Sequence, residues 1–145
     1  MLGMDVTKAF VLDGSVTLVW GFTDENDDYA TAILDRMPDL QAYVPNLWPL
    51  EVANALLVGE RRGWTTAAGA GHFLSILGTF PIAVDDETVA RAWVETMHLA
   101  RAHNLSAYDG SYLELAMRLG LPLATLDDKL KTAAKAVGVL LFDVQ

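Results

Sequence analysis

Short apolar runs alternate with stretches of helical periodicity along this chain. Residues 9–12 (AFVL) are continuously apolar and read as a buried strand that ends at Asp13. Residues 25–37 place Tyr29, Ile33 and Met37 at four-residue spacing and predict a helix. A short strand over 42–44 is stopped by Pro45. A helix over 47–62 follows, with Leu50, Leu57 and Val58 among its apolar positions and Gly63 at its end, then a helix over 66–77 closed by Gly78. Residues 81–84 predict a strand, 87–102 and 106–119 two helices, 122–126 a strand, 128–137 a helix and 139–142 a last strand. Five short strands separated by helices predict an α/β fold with a short, mostly parallel five-stranded sheet flanked by helices.

The passage FVLDGSVTLVW reads two ways. Asp13-Gly14 between two β-rich runs is a strong hairpin signal. The rival is a strand ending at Asp13, a turn, and a helical turn starting near Ser15. The α/β alternation elsewhere favours the second.

In open parallel sheets, sites lie beyond the carboxyl ends of strands. That rule points to Asp13 and Asp127, each near the end of a predicted strand. Every candidate acid also has a structural explanation. Asp13 can be a turn residue, and Ser15 two positions on can bond its carboxylate or cap a helix. Glu51 is the one charge between Leu47 and Gly59 and can complement a helix N-terminus, with Asn54 one turn on. Ser106 and Asp109 fit a capping pattern, as do Thr125 and Asp128, which would leave Asp127 free. Taken singly, each acid is better explained as structural. Jointly, acids near strand ends and helix starts can converge above one edge of a parallel sheet, where they would repel one another and raise each other's pKa. An all-oxygen set of this kind suits Mg²⁺ or Mn²⁺.

Charge bears on that reading. Ten basic and nineteen acidic residues give a formal net charge of −9. Such a chain does not attract nucleic acid by bulk electrostatics. If its substrate carries phosphate, a carboxylate-held cation would have to reverse the local sign. The 145 residues fit one domain, 1–145, with a real core. Hydrophobic residues make up 52%, which is high for this size and implies apolar surface covered by a partner or a second copy. The absence of cysteine excludes disulfides and thiolate metal sites and fits a cytoplasmic setting. The first ten residues lack the pattern of a signal peptide, and the longest stretch without Asp, Glu, Lys or Arg, 63–84, is broken by glycines and Pro81, so no membrane span is expected. His72, His98 and His103 have no metal spacing, and nucleotide-cradling and nucleophile-elbow motifs are absent. The acidic run over 24–28 reads as a solvated helix start.

Four segments resemble the PIN-domain family, and within it the VapC-type toxins of toxin–antitoxin pairs: VLDGSV with Asp13, PLEVANAL with Glu51 and Asn54, AYDGSYLELA with Asp109, and LATLDDKL with Asp127. Their order and spacing match over nearly the whole chain. Gly14 departs from the pattern, which more usually has Ala, Thr or Ser after the first acid. The resemblance favours strand–turn–helix at Asp13-Gly14. It implies a Mg²⁺-dependent endoribonuclease, with Mn²⁺ able to substitute. Asp13, Asp109 and Asp127 would hold the ion and Glu51 would complete the acidic set. Ser15, Asn54 and Thr125, and more weakly Asp128, would orient ligands or substrate from behind. It also implies an RNA substrate, a homodimer and a small antitoxin packing into an apolar groove, for which Trp20, Phe22, Trp48 and Trp64 are candidates beside a core role. Arg61, Arg62, Lys129, Lys131 and Lys135 would guide flanking phosphates or simply be solvated. Two other readings stand beside it: a DNA-acting relative with the same acids, and a non-catalytic α/β module whose acids are helix caps.

Overall fold

A computed structural model describes residues 8–22 and 25–144. The reading of the N-terminal segment therefore falls largely outside the described residues, as does Asp24 of the acidic run. Four parallel strands form one sheet in the order β3-β2-β1-β4: β1 Ala9–Leu12, β2 Gln41–Val44, β3 Ile82–Val84 and β4 Leu123–Ala124. Among the described residues, eight α-helices flank it: α1 Gly14–Gly21, α2 Asp28–Arg36, α3 Trp48–Arg61, α4 Ala67–Leu77, α5 Thr88–Arg91, α6 Met97–His103, α7 Ala107–Leu119 and α8 Asp128–Val137. A 3₁₀ turn, Met37–Asp39, leads into β2, and a π-helical segment, Ala92–Thr96, joins α5 to α6.

Hydrophobic periodicity located most of these elements; the structure corrects the strand count, divides the helix expected over 87–102 into α5, the π-helical segment and α6, and agrees with the strand–turn–helix reading at Asp13. The sheet has four strands, not five. Leu141 forms an isolated parallel bridge with Leu123, and Phe142 N–H donates to the Leu123 carbonyl at 2.8 Å. β4 is two residues long, so the terminal segment has almost nothing to pair with. The buried face of α3 is Trp48, Val52, Leu56 and Gly59, whereas Leu50 is 75% and Leu57 47% exposed. That helix is apolar on several sides, and a 3.6-residue repeat cannot choose one face when two are apolar. Asp13-Gly14 is a strand-to-helix junction, not a hairpin.

β1 lies inside the sheet, and Phe10, Val11 and Leu12 are fully buried around it. Ile33 and Met37 of the first predicted helix are buried as its spacing required, while Tyr29 is half-buried with its hydroxyl donating to the Phe142 carbonyl at 2.6 Å. β1 to β2 to β3 steps one way across the sheet, and β4 then returns to the other side of β1. The strand order thus reverses between β1 and β4. A crevice beyond the carboxyl ends of strands at such a switch point is where open α/β sheets place their sites.

Candidate active site

β1 runs directly into Asp13, which is 5% exposed and occupies the N-cap position of α1. Strand register sets its surroundings. Leu12 pairs with Ala124, so the next residue of each strand, Asp13 and Thr125, meet side by side. Thr125 Oγ1 donates to Asp13 Oδ2 at 2.7 Å, and Ser15 Oγ donates to the same oxygen at 2.6 Å. The two hydroxyls are tied in turn: Leu126 N–H donates to Ser15 Oγ at 2.9 Å and Asp127 N–H to Thr125 Oγ1 at 3.0 Å. Asp127 and Asp13 are therefore fastened to one another through Thr125 across the switch point.

The remaining acids arrive on helix starts. Glu51 stands in the first turn of α3, and its Oε1 accepts a short hydrogen bond from the Tyr112 hydroxyl. Asp109 stands in the first turn of α7, where Ser106 Oγ accepts its backbone N–H at 3.0 Å. Asp127 is the N-cap of α8, with Oδ1 accepting from Leu130 N–H at 3.2 Å. The sequence pattern gave that cap to Thr125 and Asp128; the structure gives it to Asp127, because Thr125 is drawn to Asp13. All four acids thus sit at or within one turn of a helix N-terminus, whose partial positive charge lowers the cost of gathering them.

The four carboxyl groups are electrostatically coupled. Burial pushes the Asp13 pKa up against the opposing pull of Ser15 and Thr125, and the charge of Asp127 raises it further. Burial raises Glu51, the Tyr112 bond lowers it, and the charges of Asp13 and Asp109 raise it again. Burial raises Asp109, followed by Asp13 and Asp127, while Ser106 and Lys129 act the other way. Among the described residues, no Lys or Arg forms an ion pair with any of the four. An all-oxygen donor set, partly buried, mutually repelling and without a cationic side chain in direct contact fits a hard divalent cation. A tighter acidic group exists elsewhere: Asp85, Asp86 and Glu87 have ligand atoms within 4.8 Å of one another. There Asp85 already holds Arg118 in a two-pronged ion pair, at 2.8 and 3.1 Å. The four coupled acids do not form such a close group.

Of the supporting residues, Ser15 and Thr125 touch Asp13. Asn54 is exposed on α3, its side chain making no hydrogen bond among the described residues, and Asp128 is solvent-facing, 3.9 Å from Lys131. Tyr112 joins the site unannounced by any motif; a phenol on a buried helix face has a hydroxyl to satisfy, and Glu51 accepts from it. A cavity of about 670 Å³ opens beside Ser15, lined also by Leu18, Val19, Phe22, Glu25, Ala55, Val58 and Trp64. Trp48 instead is buried, with its indole N–H donating to Thr17 Oγ1 at 3.1 Å, and Trp20 donates to the Ala30 carbonyl at 2.8 Å.

Residues 10–136 match the family model of the PIN domain. The chain belongs to the PIN domain family. Ribonuclease VapC3 of Pyrobaculum aerophilum is 29% identical over 120 residues, 83% of this chain and 90% of that one. Solved structures share the fold. PAE2754 of Pyrobaculum aerophilum aligns with a TM-score of 0.67 at 23% identity, covering 94% of this chain and 85% of its own. FitAcB of Neisseria gonorrhoeae aligns with a TM-score of 0.63 at 22% identity, covering 92% and 96%. The four-stranded parallel sheet and its helices are thus a PIN-domain architecture. Among the described residues, no helix is long and apolar enough to cross a membrane.

Proposed function

We propose that this chain is a Mg²⁺-dependent endoribonuclease, the toxin of a toxin–antitoxin pair, with Mn²⁺ able to replace Mg²⁺. The observation that carries the reading is the gathering of acids at the β1/β4 switch point: Thr125 joins Asp13 to Asp127, Glu51 stands beside Gly14, and the charges of Asp13 and Asp127 reach Asp109, with no Lys or Arg paired to any of them among the described residues. Membership of the PIN domain family and similarity to a protein named as a ribonuclease support it.

Asp13, Asp109 and Asp127 would hold the ion, with Glu51 completing the set. The chemistry that a divalent ion supplies in such a place is an activated water and neutralised phosphate charge. Ser15 and Thr125 fix Asp13 Oδ2, so its carboxylate cannot rotate freely. Lys129, whose charge reaches Asp109, is placed to meet a flanking phosphate. Asn54, exposed one turn beyond Glu51, is available to substrate. The cavity lined by Leu18, Val19, Phe22, Val58 and Trp64 offers an apolar seat for an antitoxin segment, with Glu25 to meet a basic residue. Exposed Val89, Trp93 and Met97, at four-residue spacing, support a second copy of the chain as partner.

The test compares purified wild type with Asp109→Asn on RNA and DNA strands of matched sequence. Wild type with Mg²⁺ is expected to cleave RNA, leaving 5′-phosphate and 3′-hydroxyl ends. EDTA or Asp109→Asn should reduce cleavage to background, and only wild type should arrest growth when expressed without its antitoxin. Preferential cleavage of DNA, or equal behaviour of the two folded proteins, would overturn the proposal.

A further inference from the structure

Tyr112 heads the fully buried side chains by size, and its hydroxyl is met by the Gly14 backbone N–H on one side. It donates to Glu51 Oε1, on a helix 61 residues earlier in the chain. A buried hydroxyl must find a partner, but a carboxylate is a costly one to bring to the edge of a core. Tyr112 lies three residues after Asp109 on α7, and three-residue spacing places both on one side of that helix. The junction after β1 accommodates the phenol. A Cβ at Gly14 would stand 3.4 Å from the Tyr112 hydroxyl and 3.6 Å from Glu51 Oε1, so any side chain longer than alanine aimed that way would press on their bond. The ring therefore joins the helix that carries Asp109 to the one that carries Glu51, immediately beside Asp13.

We infer that Tyr112 is a positioning residue of the acidic site: by holding Glu51 Oε1 it presents the other carboxylate oxygen in one orientation to a divalent ion, and Gly14 leaves the room for it to do so. This rests on the nuclease reading above. It goes beyond that reading because it assigns the orientation of Glu51 to a residue that touches neither ion nor RNA.

The test uses the full chain as wild type, Tyr112→Phe, Glu51→Gln and the double variant. Phenylalanine keeps the ring and its packing and removes only the hydroxyl. Mn²⁺ affinity is measured by electron paramagnetic resonance titration of the free ion, the metal-free melting temperature by calorimetry, and kcat and KM on RNA at saturating Mg²⁺. Removing a group that orients a metal ligand typically weakens binding or activity by about 10- to 100-fold. Tyr112→Phe is accordingly expected to weaken Mn²⁺ binding at least about tenfold, and to lower kcat while leaving KM close to wild type. In the Glu51→Gln background it should cause no further loss, since its effect runs through Glu51. Wild-type affinity and kcat in Tyr112→Phe, an equal loss with and without Glu51, or failure of Tyr112→Phe to fold would each overturn the inference, the last because the hydroxyl would then be holding the fold. If wild type itself neither binds Mn²⁺ nor cleaves RNA, the nuclease reading falls and takes this inference with it. If wild type does both and Tyr112→Phe matches it, only the inference falls.

Discussion

A carboxyl group as buried as Asp13 is held well above its ordinary pKa of 3.8 by desolvation, even with two hydroxyls on one of its oxygens. Glu51 and Asp109 are raised for the same first reason and by the acids around them. A raised carboxyl contributes stability that is fully present below its unfolded pKa and is lost as pH rises through its folded pKa. Asp85 has the opposite sign: the Arg118 bond lowers it, so its contribution holds above 3.8 and is lost as pH falls through its folded value. In EDTA, the melting temperature is expected to climb as pH is lowered from neutral toward the ordinary carboxylate range, then to fall at more acid pH. Asp109→Asn should shrink the climb, because it removes one raised group and relieves Asp13 and Glu51. Thermal melts across pH check this, and a melting temperature that only declines from neutral pH downward would contradict it. At this scale the sequence offered candidates. Asp13, Glu51, Asp109 and Asp127 stand out as acids at strand ends and helix starts, but the Tyr112–Glu51 bond spans 61 residues and no local pattern encodes it.

Among the elements, α7 links the site to the rest of the fold. Asp109 stands at its start, Gly110 and Tyr112 follow, and Arg118 near its end holds Glu114 of the same helix and Asp85 at the end of β3. Arg118 and its two main partners are nearly buried, with side chains 13%, 10% and 5% exposed. Arg118→Ala would leave Asp85 and Glu114 as uncompensated charges, and we expect a loss of roughly 3 kcal/mol in urea unfolding. Gly110 lets α7 approach the π-helical segment, since a Cβ there would lie 3.2 Å from the Thr96 carbonyl oxygen. Gly71, inside α4, has nothing within 4 Å of such a Cβ. The two glycines should respond to alanine with opposite signs. Gly71→Ala is expected to stabilise by about 0.5–1 kcal/mol through helix propensity, and Gly110→Ala to destabilise by about 1–3 kcal/mol through overpacking. Equal signs in denaturant melts would refute this account of the contact. Neither glycine could be told from the other in the sequence, because both sit in stretches that read simply as helix. The buried face of α3 was hidden for a related reason: Leu50 and Leu57 are as apolar as Leu56, and only the neighbours they meet distinguish them.

For the whole molecule, the governing feature is an acidic chain for which a phosphate-bearing substrate is proposed. A formal charge of −9 opposes RNA binding, and four coupled acids sharpen the opposition locally. An ion bound to the folded state alone stabilises it by mass action. At free Mn²⁺ about 100 times its Kd, the expected gain is about 2.7 kcal/mol. Mn²⁺ should therefore raise the melting temperature of wild type, and Asp13→Asn or Asp127→Asn should abolish the rise while each variant remains folded. A rise that persists in both variants would place the ion elsewhere, with Asp85, Asp86 and Glu87 the first residues to examine.

The sequence by itself determined the alternation of strands and helices and the parallel sheet, because hydrophobic periodicity acts over a few residues, and it offered the four acids as candidates only when they were taken together. The tertiary structure decided the rest. It set the order β3-β2-β1-β4, which puts β1 beside β4 and opens the switch point between Asp13 and Asp127. It reduced the fifth strand to one bridge, gave the cap of α8 to Asp127, turned Leu50 outward, and brought the Tyr112 hydroxyl to Glu51. Each of those outcomes depends on which distant surfaces meet, and that is fixed by the packing of the whole chain, which local sequence patterns do not record.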